Sequence, residues 1–182
     1  MAAPAAFWLL YGAVLAQRIV EVWTAARTTR RLVRGGGRLV EDDGYWLLFA
    51  VHLLFFAAAP VEAMRAPWAG VGWWTWPALL AFVAGEVLRG WSIASLGGRW
   101  TTRIVVLPAV PLVAGGPYRF LRHPIYVGVT LMLAGFLAAF GLWASLALLL
   151  PLKLLAVTVR IRREDRALRP LREGDPSTRT VS

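Results

Sequence analysis

The chain of 182 residues contains no cysteine and two widely separated histidines, His52 and His123. Without cysteine there are no disulfides, no thiolate-bound zinc and no thiol nucleophile. Two isolated histidines give no metal-ligand spacing, so no metal is expected. Charge is also scarce, at 16% of residues against 58% hydrophobic, with a mean hydropathy of +0.59. The apolar residues fall in long blocks and not in the narrow stripe of a soluble amphipathic helix. That pattern excludes a soluble globular domain and predicts an all-α integral membrane protein, one domain over 1–170 with a disordered polar tail at 171–182. A net charge of +10 would suggest nucleic acid in a soluble protein. In a membrane protein, basic residues gather in cytoplasmic loops, so the expected partner is the lipid bilayer and not nucleic acid.

A hydrocarbon core of about 30 Å needs roughly 20 apolar residues per helix. Five spans are predicted, at about 5–23, 45–64, 73–96, 124–140 and 142–163. The first lacks a basic leader and a small-residue cleavage site and is expected to be retained. A loop over 24–44 carries Arg27, Arg30, Arg31, Arg34 and Arg38. Its Gly35-Gly36-Gly37 reads as a flexible turn, since no Gly-Lys-Ser/Thr follows to make a phosphate loop. Residues 97–122 are too polar and too broken by Gly and Pro to cross. They fit a re-entrant or interfacial segment, whose backbone must be covered by protein or water.

Counting the loops predicts the orientation. Loop 24–44, segment 97–122 and the stretch from Lys153 onward hold 17 of the 20 Lys and Arg residues. These regions alternate with Arg65 across the spans, which predicts N-terminus out, C-terminus in and a cytoplasmic face for all three. Trp8, Trp68, Trp73, Trp74, Trp76 and Trp143 would mark the outer boundary, and Trp23, Trp46, Trp91 and Trp100 the inner one.

Two polar stretches concentrate the chemistry. The first is GGPYRFLRHPIYVG at 115–128, the second RIRRED at 160–165. His123-Pro124 reads as a helix start, where proline's missing N–H costs nothing and the free backbone donors suit an anionic group. Tyr118 and Tyr126 offer aromatic faces, which attract cations, a sulfonium among them. Arg160 and Glu164 are spaced i, i+4 and share a helix face. Together these groups suit a ligand carrying a carboxylate, an ammonium and a sulfonium. Blander readings stand beside this one: Arg119 and Arg122 as interfacial snorkels, RIRRED as a solvated helix exit, His52 as a satisfied polar residue. Glu86 and Arg89 read as a mutually neutralising pair, although ionisable residues inside a span are functional candidates by default.

At GPYRFLRHPIYVG followed by RIRREDRAL the chain resembles the isoprenylcysteine carboxyl methyltransferase family of integral membrane methyltransferases. The resemblance is strongest over 85–168. It implies S-adenosylmethionine as cofactor, with Val110, Pro111, Leu112 and Val113 as backbone contacts and Tyr118, His123, Pro124, Ile125, Tyr126 and Glu164 around the ligand. Arg103 matches a further cofactor-contact position. Arg160 falls where the family has an arginine facing the methyl acceptor. The resemblance thus implies Arg160, Glu164 and His123 as the residues nearest the chemistry and Arg160 as an acceptor contact; Arg89, a charge inside a span, is taken as a second acceptor contact. Ile125 and Asp165 depart from the commoner Asn or Ser and Glu, and the Gly-x-x-Tyr continuation of the eukaryotic members is missing.

The N-terminal half, with RIVEVWTAARTTRRLVRGGGRLVE, GYWLLFAVHLLFF and LRGWSIASLGGRWTTRIVVLPA, is similar to bacterial enzymes that accompany type III polyketide synthases. This implies O-methylation of a long-chain alkylpyrone or alkylresorcinol at a bacterial cytoplasmic membrane. The alternatives within enzymes are a prenylcysteine carboxylate and a phospholipid amine. The non-enzymatic alternative is a small membrane scaffold or transporter subunit.

Overall fold

The computed structural model describes residues 4–41, 43–65, 71–107 and 110–173. Trp68, Pro67 and Gly70 of the second connection, and the polar tail from 174 on, lie outside them. Five long helices form: α1 (Ala5–Arg34), α2 (Asp43–Arg65), α3 (Thr75–Leu96), α4 (Pro124–Ala139) and α5 (Trp143–Glu173). Two short strands, β1 (Arg38–Leu39) and β2 (Val105–Val106), pair antiparallel. Four of the helices are long and apolar enough to cross a membrane, and α4 is a shorter apolar helix. At 1.5 Å per residue, α4 is about 24 Å long. The fold is that of an all-α integral membrane protein.

Each expected span falls on a helix, but among the described residues four of the five are long and apolar enough to cross a membrane, and two differ in extent. The region 24–44 is helical as far as Arg34, because nothing before Gly35 breaks it and its residues are good helix formers. The fifth helix runs to Glu173, past the expected start of the disordered tail at 171, since Pro170 does not interrupt it.

Helices α3 and α4 touch backbone to backbone. A Cβ on Gly85 would lie 2.6 Å from Gly128 O and Met132 N, and one on Gly135 would lie 2.5 Å from Phe82 N. Membrane helices associate through such small residues because lipid offers no hydrophobic drive. Phe136 of α4 then gathers the other helices. Its ring lies 5.7 Å from that of Phe7 (α1), 5.5 Å from Phe55 (α2) and 6.1 Å from Phe82 (α3). Glu62 of α2 accepts hydrogen bonds from Ala144 N at 3.0 Å and Ser145 N at 2.7 Å. A carboxylate from one helix thereby satisfies the otherwise orphan first-turn donors of another.

Below this packed half, α1 and α3 are joined by charge. Arg89 is shared by Glu21 and by Glu86, the latter at 2.5 Å, and Arg18 bonds Glu21 at 2.9 Å. Gln17 donates to Glu86 at 2.9 Å. The expected Glu86–Arg89 pair is therefore half of a four-charge cluster. Pairing of this kind offsets the desolvation cost of burying charge.

Candidate active site

The segment between α3 and α4 is held in place piece by piece. Gly97 turns the chain out of α3 with φ +53 into a 3-10 turn at Gly97–Arg99, and Trp100 is buried behind it. Arg99 donates to Pro111 O at 2.8 Å, tying down the 110–113 stretch. The triple-glycine turn has a matching role. Gly36 adopts φ +89, and a Cβ on Gly37 would lie 2.8 Å from Leu32 O and 2.9 Å from the Val105 side chain. Only glycine lets the chain leave α1 close enough for β1 to pair with β2. A second 3-10 turn, Gly116–Arg119, has Gly116 at φ +60 against Ser95 and Trp91, and presents Tyr118. His123 caps α4 and Pro124 begins it, as the helix-start signal predicts.

These pieces meet α5 in one cavity of about 790 Å³. Arg103, Val110, Pro111, Leu112, Val113, Tyr118, His123, Pro124, Ile125, Tyr126, Arg160 and Glu164 all line it, and so does Arg89. The two polar stretches thus converge, from opposite sides of a helical hairpin. Tyr126 donates its hydroxyl hydrogen to Glu164 at 2.6 Å, and Arg160 Nε donates to the same hydroxyl at 3.1 Å. Arg160 Nη2 donates to Thr102 O at 2.9 Å, so the guanidinium bridges α5, α4 and the 97–122 segment. His123 Nε2 lies 3.2 Å from Asp165 Oδ1, and its Nδ1 lies 3.8 Å from Glu164 Oε1. Asp165, noted in the sequence only as a departure from the family pattern, orients that imidazole. The Tyr118 phenol is pushed above its ordinary value by burial and by the nearby Glu164 carboxylate. It remains a neutral donor with an aromatic face.

Arg103 lies at the rim, its guanidinium carbon 4.5 Å from the Tyr45 ring centroid. Arg89 stands deeper, in the charged cluster, where it reads as much as a structural partner as an acceptor contact. The sequence reading missed one resident of this deeper end. Lys153 is the chain's only lysine, counted above with the cytoplasmic basic residues. It is instead fully buried inside α5, with Nζ 3.2 Å from His52 Nε2. The signal was available: a lone cation in PLKLLAV, within an apolar run, is a functional candidate by default.

Taken together, the fold and the site define an integral membrane protein whose interfacial end gathers aromatic, acidic and cationic side chains around one large cavity. The sequence model of the isoprenylcysteine carboxyl methyltransferase (ICMT) family matches residues 78–170, the stretch that builds this site. A relative in Bacillus subtilis (strain 168), the uncharacterized protein YpbQ, is 30% identical over 162 residues, covering 89% of this chain and 96% of that one. No solved structure matches the chain. The chain belongs to the isoprenylcysteine carboxyl methyltransferase family, a family of membrane methyltransferases.

Proposed function

We propose that the protein is an S-adenosylmethionine-dependent O-methyltransferase acting on a lipophilic acceptor at the membrane. The observation that carries this is the convergence of Tyr118, His123, Tyr126, Arg160 and Glu164 on one cavity, from two stretches far apart in sequence. The residues fit the cofactor. Glu164 supplies an anion for an ammonium, Tyr118 and Tyr126 supply aromatic faces for a sulfonium, and the start of α4 supplies backbone donors for a carboxylate. The cavity volume lies within the usual range of roughly 300–1,000 Å³ for small-molecule sites. When bound, S-adenosylmethionine supplies an electrophilic methyl group for displacement by the acceptor oxygen.

The chain's own contribution is placement. Arg160, fixed by Thr102 and Tyr126, orients an acceptor oxygen bearing negative charge, with Arg89 as a deeper contact. Holding the reactants in line supplies most of the acceleration in such a transfer. His123 is held between Glu164 and Asp165 and sets the acidic wall in position. The acceptor route is lateral. Ile19, Val22 and Trp23 of α1 and Leu53 of α2 line the cavity and are 62%, 44%, 54% and 56% exposed, so the wall between α1 and α2 faces lipid. The basic-residue distribution, Lys153 aside, supports a cytoplasmic cofactor end.

The proposed acceptor is a long-chain alkylpyrone or alkylresorcinol, from the similarity of the N-terminal half. The second reading, a prenylcysteine carboxylate, is favoured by the description of the family. The test is methyl transfer from labelled S-adenosylmethionine by the detergent-purified protein to an alkylpyrone, an alkylresorcinol and a prenylcysteine. Label in a pyrone or resorcinol, lost on Arg160→Ala, is the expected result. Label in prenylcysteine alone would replace the acceptor and keep the chemistry. Label in none would overturn the proposal.

A further inference from the structure

The deep end of the cavity is chemically unlike its walls. Arg18, Glu21, Arg89, His52 and Lys153 all line it, among side chains that otherwise suit lipid. Arg18 and Arg89 are balanced by Glu21 and Glu86. Lys153 has no such balance: among the described residues no carboxylate forms an ion pair with it. Its Nζ meets only a ring nitrogen of His52, whose Nδ1 is 2.7 Å from Leu48 O. A carbonyl can only accept, so the His52 hydrogen sits on Nδ1 and Nε2 accepts from Lys153. The ammonium therefore keeps donors to spare, and Arg18 Nε and Arg89 Nε, of residues lining the same cavity, are buried without hydrogen-bond partners. With Glu86 counted, six ionisable side chains thus leave one positive charge and unused N–H donors at membrane depth, where an unpaired charge is costly.

We propose that this end binds a second acidic oxygen of the acceptor, so that the acceptor is a long-chain molecule whose head carries two oxygens, one oriented by Arg160 for methylation and one held by Lys153. This rests on the methyltransferase reading of the same cavity. Lys153 and Arg160 are seven residues apart on α5, two turns on one face, or about 10.5 Å. Both line the same cavity, so one acceptor head can meet the two side chains. A hydroxyl that arrives protonated still accepts a hydrogen bond from the Lys153 ammonium through its oxygen. A prenylcysteine head suits this end poorly. Its carboxylate is the methylated group, and its nitrogen, an amine or a peptide amide, brings no second acidic oxygen to Lys153.

The test is equilibrium binding, independent of turnover. Pentadecylresorcinol and pentadecylphenol are titrated against the detergent-purified protein with S-adenosylhomocysteine present, for the wild type, Lys153→Met and His52→Gln. The wild type is expected to prefer the resorcinol by about tenfold, the worth of one hydrogen bond to a charged group. Lys153→Met is expected to abolish the preference without changing phenol binding, and His52→Gln to weaken it. Methionine matches the lysine stem and removes a buried charge, a change usually tolerated by the fold. Unchanged S-adenosylhomocysteine affinity checks that the site is intact. Equal binding of the two lipids by the wild type, or a preference that survives Lys153→Met, overturns the proposal. A resorcinol preference that depends on Lys153, in a protein that methylates neither lipid, would support the oxygen site and count against the methyltransferase reading alone.

Discussion

At the scale of single residues, the proposed function gives Glu164 and Arg160 separable tasks although both touch the Tyr126 hydroxyl. Glu164→Gln keeps the hydrogen bond and removes the charge, and is expected to weaken cofactor binding at least tenfold, since a hydrogen bond to a charged group is worth about 1.5–3 kcal/mol. Arg160→Met is expected to leave cofactor affinity near wild type and lower kcat by about 100-fold, the loss typical of removing one positioned electrostatic group. Calorimetric titration and single-turnover methyl transfer check the pair. Tyr118 gives a pH prediction. Its folded value is raised, so the folded protein still holds the proton at pH values where the unfolded chain has released it. Stability from this group is full below about pH 10 and is lost as pH rises through the folded value. Thermal unfolding midpoints in detergent should fall above about pH 10, and Tyr118→Phe should flatten that decline.

At the scale of elements, the glycines of α3 and α4 divide into those that carry packing and those that do not. Gly135→Ala sets a methyl against the Phe82 and Ala78 backbone, which cannot move aside as a side chain can. Overpacking of this kind costs about 1–3 kcal/mol, seen as a lowered unfolding midpoint and reduced activity. Gly90 has nothing within 4 Å of its Cβ position, so Gly90→Ala should be neutral or stabilising, by up to about 1 kcal/mol of helix propensity. Glu62→Ala removes the cap that α2 lends to α5 and should cost about 1 kcal/mol. These devices explain what was legible in the sequence. Apolar block length announced five helices, and Pro124 announced where α4 begins. The i, i+4 spacing of Arg160 and Glu164 announced one face. The helical continuation to Arg34 was hidden, because arginines read as loop by charge yet are strong helix formers. The pairing of β1 with β2 was hidden too, since two-residue strands have no periodicity to read.

At the scale of the whole molecule, one packed half holds the bundle together and one open half encloses the cavity. The packed half centres on Phe136, where α1, α2 and α3 meet α4. In the open half, α1 is held to α3 by the Arg18–Glu21–Glu86–Arg89 cluster, and the cavity reaches the lipid-facing wall between α1 and α2. The gathering of the site residues was legible as a family pattern. Its depth was not, because Lys153 and His52 lie 101 residues apart and only the packing of α2 on α5 joins them. This explains how a chain with a single lysine places it where a soluble protein would not. The central claim is that the convergence of 110–126 and 160–164 forms a cofactor site. Its most direct test is calorimetric titration of S-adenosylmethionine into the detergent-purified wild type, Glu164→Gln and Tyr118→Ala. Saturable one-to-one binding by the wild type, weakened tenfold or more in both variants, is the predicted result. No binding by a folded wild type, or binding that neither variant changes, would contradict it.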